Sequence, residues 1–294
     1  MRLGSSRFMS GLPQEIFGYP VVAKLGTGAA SELFAVQDPK TKQVWALKHV
    51  VRRTEKDDRF IAQVEIEHEV GSKLDHPNVR KVGKVHRVRK LFTTTEIGLC
   101  LHLIDADAMD NRRPETLLEA VEQFAQIARG MGHMHSKGYV HADMKPINVM
   151  VLEDRSIQII DLGQACKIGS TKERIQGTPG YIAPEQAALD KITAATDIYN
   201  LGATMYFVLV GEIIPTVLPP GAAKPISASL LRMPQPPQEK KPEIPARLSR
   251  LIMDCIRVKP EDRVASMDLL ASELDRIAAE ARGAMAQAGS RPGK

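Results

Sequence analysis

The chain of 294 residues has little cysteine: Cys100, Cys166 and Cys255 are odd in number and lack the close pairing of a thiolate metal site. That excludes a disulfide framework and a zinc ribbon as organising devices, and a reduced, cytoplasmic setting is expected. No long basic block is interleaved with aromatics; the net charge of +5 comes from cations scattered among acids, so nucleic acid is not an expected partner. No apolar run reaches the roughly 20 residues of a membrane span. The nearest, Ile198 to Val210, is short and carries Asn200 and Gly202, which suits a buried helix. Met1 to Gly18 lacks the apolar core of a signal peptide, so no membrane segment is expected. His133 and His135 fall on a helical pattern, where packing or capping is a more economical role than metal ligation. The 43% apolar content, without a low-complexity majority, suits one large domain or two lobes.

What the chain does have is concentrated in His141-Ala142-Asp143-Met144-Lys145-Pro146-Ile147-Asn148, followed by an apolar run and Asp161-Leu162-Gly163. A transferring phosphoryl group carries spread negative charge, and a protein acts on it mainly by positioning and neutralising. Asp143 is suited to accept the proton of an attacking hydroxyl, and Lys145 shares its loop and can face a phosphate. Asn148 and Asp161 are hard oxygen donors of the kind that suits Mg²⁺. The competing view is that Asp143 and Asn148 are ordinary turn residues.

Upstream, Tyr19 to Leu25 and Ser31 to Val36 have strand character around Gly26-Thr27-Gly28-Ala29-Ala30-Ser31. Glycines at such a turn let backbone amides approach phosphates, although many glycine-rich hairpins are only hairpins. Val44 to Val51 is an apolar strand interrupted by Lys48, which requires a partner charge. Arg59 to Leu74 has helical periodicity; Glu67 is the favoured partner, with Glu65 and Glu69 as rivals.

Together these strings resemble a eukaryotic-type (Hanks-type) Ser/Thr protein kinase catalytic domain, in its bacterial branch. The resemblance implies an α+β, bilobal fold: a five-stranded antiparallel N-lobe with its helix, residues 19–104, and a mainly helical C-lobe, 108–282. Flanking them are an N-terminal extension, 1–18, and a disordered tail, 283–294. It implies ATP and Mg²⁺ as cofactors and protein Ser or Thr hydroxyls as acceptors. Gly26, Thr27, Gly28, Leu33, Ala46, Lys48, Glu67, Ile104, Asp105, Asp107 and Met150 would surround the nucleotide, with Ile104 at the gatekeeper position and Asp105 to Asp107 as the hinge. Asp143 and Lys145 would be catalytic, and Asn148 and Asp161 would hold the metal. Gly177-Thr178-Pro179-Gly180-Tyr181-Ile182-Ala183-Pro184-Glu185 closes an activation segment containing Ser170 and Thr171. In Ser/Thr kinases the threonine matching Thr178 hydrogen-bonds the residues matching Asp143 and Lys145. Asp197 would tie down the catalytic loop, and Arg263 would pair with Glu185.

Two positions depart from the family pattern. Ala142 replaces the arginine that receives an activation-segment phosphate, which makes the chain a non-RD type. Gly71 stands where relatives place an apolar residue that stacks on the one matching Leu162; a gap and a loosely docked helix are expected. The first C-lobe helix should be short or absent. The Pro-rich stretch from Pro215 to Pro245 should be irregular and mobile. Helices are expected over about Glu115 to Lys137, Ala246 to Val258 and Ser266 to Ala279. An active enzyme and a pseudokinase acting as a nucleotide-binding scaffold both fit the resemblance.

Overall fold

The computed structural model describes residues 12–215 and 233–289. They fall into two compact units. The first contains the chain to Asp75, Arg80–Asp105 and Asp161–Gly163; the second contains His76–Val79, Ala106–Ile160 and the chain from Gln164 onward.

The first unit is built on one antiparallel sheet in the order β1-β2-β3-β4-β6-β5. Its strands are β1 (Glu15–Ile16), β2 (Tyr19–Thr27), β3 (Glu32–Gln37), β4 (Val44–Val51), β5 (Val82–Lys90) and β6 (Thr93–His102). The expected five strands are joined by β1. Phe17 and Gly18 take positive φ and fold Glu15 and Ile16 back onto Pro20 and Tyr19. Ile16 is buried and Phe17 packs beside it, so this end of the expected extension belongs to the core. Helix α1 (Asp58–Gly71) follows β4 and begins one turn after Thr54, whose backbone N–H is capped by the Asp57 carboxylate at 2.7 Å.

Strand alternation gives the sheet two apolar faces. Phe34, Val36, Leu47 and Cys100 point to one with Ile16 and Tyr19; Ala46, Val50, Ile97, Leu99 and Leu101 point to the other, where Ile61 and Val64 of α1 cover them. Lys48 lies on the second face between Ala46 and Val50, which brings it to the helix.

In the second unit, β7 (Asp107–Ala108), β9 (Val149–Val151) and β10 (Ile157–Ile159) form a small sheet, and β8 (Tyr139–Val140) pairs with β11 (Cys166–Lys167). Helix α2 (Leu117–Ser136) starts where Thr116 Oγ1 accepts the Glu119 N–H at 3.1 Å; no helix precedes it after β7. Residues 76–79, expected in the N-lobe, belong here because Asn78 donates to Gln126 Oε1 and the Ile157 carbonyl, and Val79 bridges Ile159.

Next come α3 (Pro184–Ala187), α4 (Ala194–Val210), α5 (Pro237–Lys240), α6 (Ala246–Cys255) and α7 (Met267–Gly289). Helix α4 is the expected buried helix and stops at Gly211, whose φ is 88°. Part of the Pro-rich stretch is ordered rather than mobile. Pro237 and Ile244 are buried, and Tyr206 Oη donates to the Gln235 carbonyl at 3.1 Å. Residues 216–232 lie outside the described residues. Helix α7 passes the expected end at Ala279 and the glycine at 283. The alanine-rich run favours continuation, and Arg282 Nε is held by Glu122 at 3.0 Å. The expected disordered tail is therefore helical as far as Gly289, and residues 290–294 lie outside the described residues.

Candidate active site

In the first unit Lys48 Nζ donates to Glu67 Oε2 at 2.7 Å and to Asp161 Oδ1 at 3.0 Å. The rivals of Glu67 are engaged elsewhere: Glu65 pairs with Arg87, and Glu69 with Lys73. Burial disfavours the Lys48 ammonium, but the adjacent Glu67 and Asp161 carboxylates outweigh it and raise its pKa, so the cation is fixed. Asp161 has φ 60°, a conformation that non-glycine residues adopt only under constraint, and its side chain is 46% exposed.

The glycine turn closes through a Gly28 N–H to Ser31 carbonyl bond of 2.7 Å. A Cβ on Gly28 would lie 2.7 Å from Ser31 Oγ, whereas one on Gly26 would meet nothing within 4 Å, so the backbone at Gly26 is open to approach. Thr27 is exposed, Leu33 packs beside Ala46, and Ile104 and Asp105 follow β6 as half-buried and exposed residues.

The expectation of a gap at Gly71 is overturned. A Cβ there would sit 2.3 Å from Val82 Cγ2 and 3.4 Å from Leu162 Cδ1. Val82 from β5 occupies the space, and Gly71 is what lets β5 approach α1 so closely.

In the second unit Asp143, Lys145 and Thr178 form a closed triangle. Thr178 Oγ1 donates to Asp143 Oδ1 at 3.0 Å; Lys145 Nζ donates to Thr178 Oγ1 at 2.7 Å and to Asp143 Oδ2 at 2.8 Å. Asn148 Nδ2 donates to the Asp143 carbonyl at 2.8 Å, which fixes the amide and leaves its oxygen as the remaining polar group. Met150 lies opposite Ala108 in the β7–β9 pair, next to the Asp107–Val151 rung.

The loop is held from below by buried Asp197, which accepts the His141 N–H at 2.9 Å, the Ala142 N–H at 2.8 Å and a contact from His135 Nε2 at 2.8 Å. Burial alone would raise the Asp197 carboxyl, but the His135 hydrogen bond and charge, with His141 and the Ala142 N–H, bring it below its ordinary value. His133 packs as expected, stacked on His76, whereas His135 is engaged with this buried carboxylate. Ala142 has φ 61°, and Gln186 Nε2 donates to its carbonyl at 2.8 Å. Gln186, with Asn200 bonded to it at 3.0 Å, was not identifiable from sequence; only its place after Ala183-Pro184-Glu185 hinted at it.

Arg263 meets Glu185 through two bonds of 2.8 Å and also donates to the carbonyls of Ala195, Arg257 and Val258. This buried pair is fully coordinated, with Thr196 Oγ1 adding a 2.8 Å bond to Glu185. The stretch after Asp161 is tied down by backbone: β11 pairs with β8, and Gly169 and Ser170 exchange bonds with Ile192. Thr171 is exposed and Ser170 half-buried.

A family model described as protein kinase domain matches residues 19–274. A probable serine/threonine-protein kinase of Clostridium acetobutylicum is 26% identical over 269 residues, covering 88% of this chain and 40% of that protein. Serine/threonine-protein kinase pkn3 of Myxococcus xanthus is 27% identical, covering 90% and 51%. PknB of Mycobacterium tuberculosis is 25% identical, covering 86% and 42%. The chain thus spans about half or less of the length of these curated relatives. The solved kinase domain of Mycobacterium tuberculosis PknI has a similar fold, with a TM-score of 0.67 at 24% identity, covering 88% of this chain and 95% of that one.

Proposed function

The chain belongs to the protein kinase domain family, and from that premise we propose that it is an active enzyme transferring the γ-phosphoryl group of ATP to Ser or Thr hydroxyls of proteins. The observation that carries this reading is the Asp143–Lys145–Thr178 triangle. Asp143 is poised to accept the proton of an incoming hydroxyl, and Lys145 places a positive charge where phosphoryl charge develops. Thr178 ties both to the segment that receives the substrate.

Lys48, aligned by Glu67, would orient the α- and β-phosphates, and the open backbone at Gly26 would lie against them. The nucleotide's other neighbours would be Thr27, Gly28, Leu33, Ala46, Ile104, Asp105, Asp107 and Met150. Asn148 and Asp161 would hold Mg²⁺; a carboxylate and an amide oxygen are hard donors that fit this ion. When bound, the ion supplies charge neutralisation to the phosphates.

Transfer would not depend on phosphorylation of Ser170 or Thr171. Ala142 removes the cation that would repel its neighbours before phosphorylation and receive the phosphate afterwards. Support for this comes from the backbone bonds of Gly169 and Ser170 to Ile192 and from Gln186 on the Ala142 carbonyl.

The test is incubation of the purified chain with Mg²⁺, γ-labelled ATP and a generic protein substrate, followed by phosphoamino-acid analysis. Labelled Ser or Thr, lost in Lys48→Met, is the expected result. Nucleotide binding without turnover would mark a scaffold instead, and Lys48→Met activity within about tenfold of wild type, about 1.4 kcal/mol of barrier, would contradict the assignment.

A further inference from the structure

The β5–β6 hairpin ends in Leu91-Phe92, which are 92% and 102% exposed, the most exposed large apolar side chains among the described residues. Lys90 pairs with Thr93, so the two form a two-residue loop, and Leu91 has φ 57°. A two-residue loop with positive φ at its first position favours glycine there, because a side chain meets the backbone. Leu91-Phe92 is thus poor on two counts, backbone conformation and solvation, and the fold gains nothing from either residue. Such a feature, held against local preference on an exposed tip, points to a role outside folding.

The hairpin's own charge at the tip has one sign. Arg89 and Lys90 are exposed and stand opposite Thr94 and Thr93, and no acid occurs from Arg89 to Thr94. Glu96 on this hairpin is engaged with His49 and Glu65 on α1 with Arg87. In the β4–α1 turn, which the Arg52 N–H joins to the Thr95 carbonyl, Asp58 pairs with Arg52 and Asp57 takes the Arg53 and Thr54 N–H groups, while Glu55 is exposed.

We propose that this tip is a peripheral membrane contact: Leu91 and Phe92 enter the interfacial layer of an anionic bilayer, while Arg89 and Lys90 meet its headgroups. A convex tip of two side chains covers far less than the roughly 1,000 Å² that a stable protein interface needs. A lipid surface, being deformable, accepts point insertion of a few apolar groups flanked by cations. The positive rim selects anionic over zwitterionic lipid.

The experiment is co-sedimentation of the full chain with vesicles of phosphatidylcholine alone, or of phosphatidylcholine mixed with phosphatidylglycerol. The key variant is Leu91→Gly/Phe92→Asn, which installs a turn the backbone prefers and so keeps the hairpin folded; Arg89→Gln/Lys90→Gln removes the charge. Wild type is expected on the anionic vesicles only, with binding weakened by salt. Each double variant should weaken it by at least about tenfold. Absence of wild-type binding overturns the proposal, as does equal binding by the Gly-Asn variant, which would place the lipid contact elsewhere. A solution dimer abolished by the Gly-Asn variant, without vesicle binding, would overturn it in favour of a second copy of the chain.

Discussion

Replacing Gly71 by alanine tests the packing beneath Asp161. The new Cβ would lie 2.3 Å from Val82 Cγ2 and 3.0 Å from its Cβ, far inside the roughly 3.5–4.0 Å of a favourable carbon contact. Val82 or the end of α1 must then move. Overpacking of this kind costs about 1–3 kcal/mol, and alanine returns about 0.5–1 kcal/mol by its better helix propensity, so a net loss of up to about 2.5 kcal/mol is expected. Val82→Ala alone removes two partly buried methyls and should cost about 1 kcal/mol. The double variant should be more stable than the sum of the two losses by about 1–2 kcal/mol, because the small residue at 82 makes room for the one at 71. Urea unfolding followed by fluorescence of Trp45, the single tryptophan and a residue of the first unit, reports the unfolding of that unit. Additive losses, within about 0.5 kcal/mol, would refute the close approach of Val82.

Three further outcomes are expected. Arg263→Met leaves Glu185 buried without its cation and should destabilise the second unit by about 3–5 kcal/mol, read as a lowered urea midpoint. Asp197 has a folded pKa below its unfolded one, so its contribution is present above the ordinary carboxylate range and is lost as pH falls through the folded value. Melting temperature should therefore fall less steeply on acidification in Asp197→Asn than in wild type, and parallel curves would contradict this. Phosphatase-treated wild type and Ser170→Ala/Thr171→Ala should retain activity; a loss beyond about a hundredfold, near 2.7 kcal/mol of barrier, would mean that another cation receives a phosphate there.

Strand β4 was legible because a β-rich apolar run interrupted by one lysine has few other outcomes, and Lys48 needs a partner charge, which Glu67 supplies. The Asp143–Lys145–Thr178 triangle was legible through the family resemblance, because each of the three sits in a specific string. Other features depend on approach between distant segments. Val82 filling the space at Gly71 is a relation between a strand and a helix, and neither local pattern contains it. Two residues such as Glu15 and Ile16 are too few to display alternation; the Phe17-Gly18 turn makes them a strand. At the end of α7, Gly283 reads locally as a stop, but the alanines around it carry the helix on to Gly289. His135 gave no sign of its role because its partner, Asp197, lies on another helix.

The most direct test of the central claim is the phosphoryl-transfer rate of Asp143→Asn, measured with nucleotide affinity in the same preparation. Asparagine keeps the size of the side chain and one of its two acceptor oxygens but cannot take the proton of the attacking hydroxyl. The account predicts a fall in kcat of at least about a hundredfold, near 2.7 kcal/mol, with ATP affinity retained; a rate within about tenfold of wild type would contradict it.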